Sequence, residues 1–159
     1  MKNEHLFAII MAGGKDNSFW PLTGQDAAKQ MAAFDGPAPM VMAARDRIRS
    51  LIPASRTLVV ADQSHAEGLP GNDPDDIPPQ NILIEPLGRG TAACIGLAAL
   101  AVLKKDPRAV MLILPSDHVI TRKDEFLSLV RAGAVLAESG RGLVALGIVP
   151  TSPETGYGY

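Results

Sequence analysis

The residues of this chain that do not look like packing material fall just after apolar runs. Ala12-Gly13-Gly14 follow Leu6 to Met11 (LFAIIM), Glu85-Pro86-Leu87-Gly88-Arg89 close Asn81 to Glu85 (NILIE), and Asp117-His118 follow Ala109 to Leu114 (AVMLIL). A glycine pair lets the backbone turn sharply and approach a ligand with no Cβ in the way, which suits a phosphate. Asp117 can hold Mg²⁺ through one carboxylate oxygen, with water and phosphate completing the octahedron. As a helix cap or turn residue it would have a purely structural role. His118 has the same two readings, a ligand or acid–base group against a hydrogen-bonded structural histidine. His5 and His65 stand in no such pattern, and Cys94, within an apolar helical run, reads as core.

The elements that must position these residues alternate between strand-like and helix-like patterns. Leu6 to Met11 is apolar at every position, as in a parallel strand covered on both faces. Gln25 to Phe34 reads as a short helix carrying Lys29 and Gln30, stopped by Asp35-Gly36-Pro37. Pro39 can open the next helix, where Met40, Ala44, Ile48 and Leu51 recur at helical spacing and Arg45, Arg47 and Arg49 read as a solvated face. Arg56 to Ala61 is a second strand, and a weak helix runs from Asp62 to about Leu69. The Pro-, Asp- and Gly-rich stretch from Gly71 to Gln80 is a loop. Asn81 to Glu85 is a third strand. Thr91 can cap a helix that is apolar almost all round to Leu103, hence a buried one, with Lys104 and Lys105 in its last turn where cations are favourable. Ala109 to Leu114 is a fourth strand. Lys123 to Ser139 is an amphipathic helix with Phe126, Leu129, Val130 and Leu136 inward, stopped by Gly140, and Leu143 to Val149 is a fifth strand.

That alternation predicts an α/β fold with a doubly wound, mostly parallel sheet and right-handed crossovers. In such a sheet the carboxyl ends of the strands share one edge, so the turns after strands one, three and four should line a single crevice.

The bulk numbers agree with one domain. A chain of 159 residues, 47% hydrophobic and 20% charged, can bury a core. A net charge of −2 gives no general reason to expect nucleic acid or an anionic membrane, so phosphate binding must be local. One cysteine allows no internal disulfide and fits a reducing compartment. The first apolar run is too short for a secretory signal, and Gly90 to Leu103 falls short of a membrane span. The expected compartment is the cytoplasm.

The glycine turn is neither the G-x-G-x-x-G of a dinucleotide fold nor a P-loop with its G-K-[ST]. Taken together with other segments it does resemble something known. Ala12-Gly13-Gly14 with Trp20-Pro21-Leu22, Lys29-Gln30, Glu85 to Arg89 with Thr91-Ala92, Leu114-Pro115-Ser116-Asp117-His118-Val119-Ile120, Gly147 to Pro150 and Pro153-Glu154-Thr155-Gly156-Tyr157-Gly158-Tyr159 resemble, in order and spacing, the mannose-1-phosphate guanylyltransferases of the sugar-phosphate nucleotidyltransferase superfamily. Trp20-Pro21 favours the mannose branch.

The resemblance implies a three-layer αβα, Rossmann-like fold of the nucleotide-diphospho-sugar transferase type, with this chain its N-terminal portion. It implies transfer of GMP from GTP to mannose 1-phosphate with release of pyrophosphate. Ala12, Gly13, Gly14 and Lys15 would lie against the nucleotide, with Glu85, Gly88, Arg89 and Thr91 near base and ribose. Lys29 would face phosphate, Asp117 would hold Mg²⁺, and Gly156, Tyr157 and Gly158 would lie near the sugar.

Two departures set a second expectation. Where the family has a glycine and an arginine in the loop after Ala-Gly-Gly, this chain has Asp16 and Ser18. A carboxylate roughly 6 Å from a phosphate costs on the order of 3 kcal/mol at an effective dielectric of 20. Losing a cation aimed at the transferred group costs roughly 10³-fold in rate. Those changes point to a non-catalytic nucleotide-binding or regulatory relative as the alternative. The family's domain also continues past Gly-Tyr-Gly-Tyr, so the sequence is expected to be either a fragment of a longer protein or a shortened relative whose exposed sheet edge needs a partner surface, with which a homo-oligomer is compatible.

Overall fold

The computed structural model describes residues 4–13, 38–66, 69, 76–140 and 142–156; the side chains of Ser64 and His65 are also outside the description. Gly14, Lys15, Asp16, Ser18, Trp20-Pro21, the 25–34 helix with Lys29 and Gln30, most of the 71–80 loop, and Tyr157 to Tyr159 therefore lie outside the described residues, as does the His65 ring.

Four strands form one sheet: β1 (Leu6–Met11), β2 (Thr57–Ala61), β3 (Ile82–Ile84) and β4 (Val110–Pro115). They lie in the order β3-β2-β1-β4, every neighbouring pair parallel. The chain builds outward from β1 through β2 to β3, then crosses back to add β4 on the other side of β1. The strand order thus reverses between β1 and β4, and in an open α/β sheet that is where a crevice opens beyond the carboxyl ends.

The helices are α1 (Met40–Ile48), α2 (Gln63–Ala66), α3 (Thr91–Lys105) and α4 (Lys123–Glu138). Strand residues alternate between faces, so β1 serves two cores at once. Leu6 and Ala8 pack with Ile48, Leu51 and Ile52 at the end of α1 and with Leu127, Val130 and Ala134 of α4. Ile10 and Ala12 pack with Val41 and Ala44 of α1 on the same side. Phe7 and Ile9 face the other way, onto Cys94, Ala98 and Val102 of α3. Helices on both faces of a parallel sheet make the three-layer αβα arrangement, and explain why β1 is apolar throughout.

Several sequence expectations need correction. Leu143 to Val149 is not a strand: it runs without regular structure, Leu143, Ile148 and Val149 fully or largely exposed. An apolar run becomes a strand only where a sheet edge pairs with it, and among the described residues none does. Helix α3 is buried on one face only, through Cys94, Ala98 and Val102, while Leu100 and Leu103 are exposed. Its uniform apolarity concealed which face met the sheet. Thr91 is the first helical residue rather than the cap. Gly90 holds that position with φ +82°, in the left-handed region that favours glycine, and makes no side-chain cap. In α4 the inward residues are Leu127, Val130 and Ala134, with Phe126 packed partly against them, whereas Leu129 and Leu136 point out. Gly140 does end that helix, at φ +69°. Arg56 belongs to a short 3-10 turn before β2 rather than to the strand. No helix among the described residues is long and apolar enough to cross a membrane.

Candidate active site

Parallel pairing brings the segments that leave β1, β3 and β4 to one edge. Met11 of β1 pairs with Pro115 of β4, so Gly13 and Asp117 each stand two residues beyond the same rung of the ladder. The ladder continues past the strands: Ser116 N–H donates to the Met11 carbonyl at 3.2 Å, and Ala12 N–H to the Val60 carbonyl at 2.8 Å. Glu85 N–H donates to the Ala61 carbonyl at 2.8 Å, which ties the end of β3 to the end of β2. Ala12-Gly13, Glu85 and Ser116-Asp117 therefore all stand at the carboxyl edge of the sheet.

The Glu85 side chain reaches across the end of β2 towards Gly13. A Cβ built on Gly13 would stand 3.4 Å from Glu85 Oε2 and 3.7 Å from the Asp62 amide nitrogen. These are ordinary contact distances, and Gly13 is not among the positive-φ glycines. The described residues would thus accept an alanine there, so the glycine is not required by packing among them. Glu85 Oε1 is buried and has no hydrogen-bond partner among the described residues. A buried carboxylate oxygen left in that state is costly, so it marks a place where a donor is expected to arrive.

Asp117 is half-buried in the turn after β4; His118 beside it is exposed, and its carbonyl is engaged. That carbonyl accepts a hydrogen bond at 2.8 Å from Nη2 of Arg47, a residue the sequence pattern assigned to a solvated face. The structure corrects this: Arg47 retains only 9% exposure. It stands seven residues after Met40, in line with the Met40, Val41, Ala44 and Ile48 face, a spacing that held the missed signal. Arg45 is also engaged, bridging Asp46 and Asp76 at 2.7 and 2.6 Å. Burial opposes its charge, but the two carboxylates outweigh that and hold its pKa above the usual value.

Gly88, Arg89 and Thr91 are exposed in the segment leading from β3 into α3. On the first turn of that helix Cys94 is buried; burial, with the Glu85 carboxylate adding to it, pushes its thiol pKa up to about 11. An un-ionised thiol is a packing group rather than a nucleophile. Gly156 is exposed, its N–H donating to Glu154 Oε1 at 3.0 Å, in a stretch with no described connection to the crevice.

With this geometry in hand the chain can be set beside known proteins. The nucleotidyl transferase family matches residues 7–159. This chain belongs to that family. Its Asp117 and Gly13 turns therefore sit in a nucleotidyl transferase domain, on a parallel sheet flanked by helices. Among similar curated proteins, the mannose-1-phosphate guanylyltransferase of Salmonella montevideo is 40% identical over 155 residues, covering 95% of this chain and 31% of its own length. That of Escherichia coli K12 is 37% identical over 165 residues, covering 100% of this chain and 34% of its own. A crystal structure from Thermus thermophilus, described as a mannose-1-phosphate geranyltransferase, superposes with a TM-score of 0.73 at 28% identity, over 86% of this chain and 39% of that one. The chain thus spans about a third of the length of the curated relatives it matches.

Proposed function

We propose that this chain is the nucleotide-binding portion of a mannose-1-phosphate guanylyltransferase, which transfers GMP from GTP to mannose 1-phosphate, releasing pyrophosphate and forming GDP-mannose. The observation that carries the reading is the meeting of Gly13, Glu85 and Asp117 at one sheet edge, at the point where strand order reverses. The names of the similar proteins support the catalytic reading over the non-catalytic alternative that Asp16 and Ser18 suggest.

The roles follow from the chemistry of each group. The Gly13 turn leaves room for the triphosphate backbone to approach main-chain N–H groups, with Gly14 and Lys15 following it. The Glu85 carboxylate can accept hydrogen bonds from a nucleobase or ribose, which would satisfy its orphaned oxygen. Arg89, with Gly88 and Thr91, lies on the exposed approach to the same edge. Lys29 supplies positive charge to phosphate, and Gly156, Tyr157 and Gly158 contact the sugar.

Asp117 fits a hard divalent cation in one respect, a carboxylate beside the crevice. Among the described residues no group of three or more His, Cys, Asp or Glu side chains forms a cage. One carboxylate is enough for Mg²⁺, which takes one or two protein oxygens and leaves its other positions to water and substrate phosphate. When bound, Mg²⁺ would neutralise the charge that develops on the transferring phosphoryl group. The chain's own work is to hold GTP so that the sugar phosphate oxygen can approach the α-phosphorus in line with the departing pyrophosphate, where positioning and charge do nearly all that is needed. The proposed compartment is the cytoplasm, which keeps Cys94 a thiol.

Titration with GTP and Mg²⁺ tests this reading. Asp117→Ala should weaken Mg²⁺-dependent GTP binding by about tenfold to a hundredfold, the range typical for a disturbed metal site. Unchanged binding, or no binding of GTP to the wild-type chain, would overturn it.

A further inference from the structure

We propose that Arg47 is a positioning residue: buried on α1, its guanidinium holds the His118 carbonyl and so fixes the turn that presents Asp117 to the crevice. This rests on the reading of Asp117 as the metal carboxylate.

Arginine is seldom fully buried unless paired, since taking its charge out of water costs several kcal/mol. Arg47 nevertheless occupies a core-facing position of α1, in line with Met40, Val41, Ala44 and Ile48, where an aliphatic side chain would satisfy packing. Its Nη2 reaches the main chain 71 residues away and donates to the His118 carbonyl at 2.8 Å. A charge-assisted bond from a rigid planar fork fixes direction as well as distance, which a lysine ammonium does less well.

The place of that bond is what gives it a function. On the other side of Asp117, buried Ser116 donates its N–H to the Met11 carbonyl at 3.2 Å. Asp117 is therefore flanked by one tie to the end of β1 and one tie to α1. The first sets the turn against the Gly13 strand, and the second stops it from swinging away beyond β4. Loops carrying metal carboxylates need such support, because a carboxylate displaced by an ångström loses its ion.

The test compares Arg47→Met, Asp117→Asn and the double variant in two readouts. One is Mn²⁺ binding to the protein with GTP, measured by electron paramagnetic resonance with Mn²⁺ standing in for Mg²⁺. The other is amide hydrogen exchange in the peptide spanning residues 114–120. Arg47→Met should speed exchange in the 116–118 turn and weaken Mn²⁺ binding about tenfold. On the Asp117→Asn background, the same change should alter Mn²⁺ binding by less than about twofold, because Arg47 acts through Asp117. Unchanged exchange in the turn, or an equal tenfold loss on both backgrounds, would overturn the proposal. Should Arg47→Met fail to fold, Arg47→Lys reads the same quantities: faster exchange with weaker Mn²⁺ binding supports the proposal, and wild-type values in both overturn it. If Asp117→Asn itself leaves Mn²⁺ binding unchanged, the metal reading falls and takes the role of Arg47 with it, however the turn exchanges.

Discussion

At the amino ends of the strands, just before β3, the buried side chain of Asn81 donates through Nδ2 to the carbonyls of Ala54, Ser55 and Thr57 at 3.0 to 3.2 Å, and accepts from Lys105 Nζ at 2.6 Å. At the carboxyl ends, just after β3, Glu85 keeps a buried oxygen with no partner among the described residues. The two residues are four positions apart on one strand and its flanks, yet one is saturated and the other is not. His5 and Asp106 repeat the first pattern before β1 and β4, paired at 2.6 Å, with the Arg108 N–H donating to the same carboxylate at 2.9 Å. Polar groups that the fold satisfies for itself are structural. A group that the fold leaves wanting at the edge where ligands bind is poised for an outside partner.

The comparison is broken most directly at Asn81. Asn81→Leu removes the shared donor of three carbonyls and the acceptor of Lys105, and should destabilise the chain by about 3 kcal/mol, the sum expected from several orphaned groups. Urea unfolding measures this, and the folded fraction should bind GTP as before. A variant as stable as the wild type would mean that water replaces the amide at no cost, and that the amino end is no more self-sufficient than the other.

Glu85 should answer with the opposite sign. Glu85→Met keeps the side chain's length and removes the orphaned oxygen, so the ligand-free chain should gain about 1 kcal/mol. The same substitution should weaken GTP binding, a stability gain set against a functional loss. If it destabilised the chain instead, the carboxylate would be a structural group like Asn81, and its claim to the site would lapse.

This contrast bears on what could be read from the sequence. Strands β1, β2 and β4 were legible because an unbroken apolar run has one good solution, a covered parallel strand, and the shared edge followed from topology. The same reasoning failed for Leu143 to Val149, where an apolar run specifies a strand only if a sheet edge takes it up. It failed in part for α3, since a helix apolar on all sides does not say which side faces the sheet, and for Leu129 and Leu136 of α4, whose inward face lies one register away through Leu127, Val130 and Ala134. A charged side chain suggests water, yet the spacing of Arg47 from Met40 and Ala44 puts it on the core stripe. The orphaned state of Glu85 and the ties around Asp117 depend on distances between segments remote in sequence, which no local pattern encodes.

The smallest expected effect belongs to the amino end and sharpens the idea that its polar pairs are structural. The hydrogen bond from His5, with that from the Arg108 N–H, holds the Asp106 carboxyl below the usual carboxylate range. A folded-state pKa below the unfolded value of about 3.9 means that the carboxylate favours the folded chain fully above that pH. The contribution is lost as pH falls through the depressed folded value, since the proton then binds both states alike. The urea midpoint of the wild type should therefore exceed that of Asp106→Asn at about pH 6, and the gap should narrow at about pH 3. The protonated acid can still accept a hydrogen bond, as the asparagine can, so what disappears is the charge alone. A gap of equal width at both pH values would show that the pair contributes by geometry and not by ionisation, and the amino end would then owe its self-sufficiency to Asn81 and its carbonyl partners rather than to any charge.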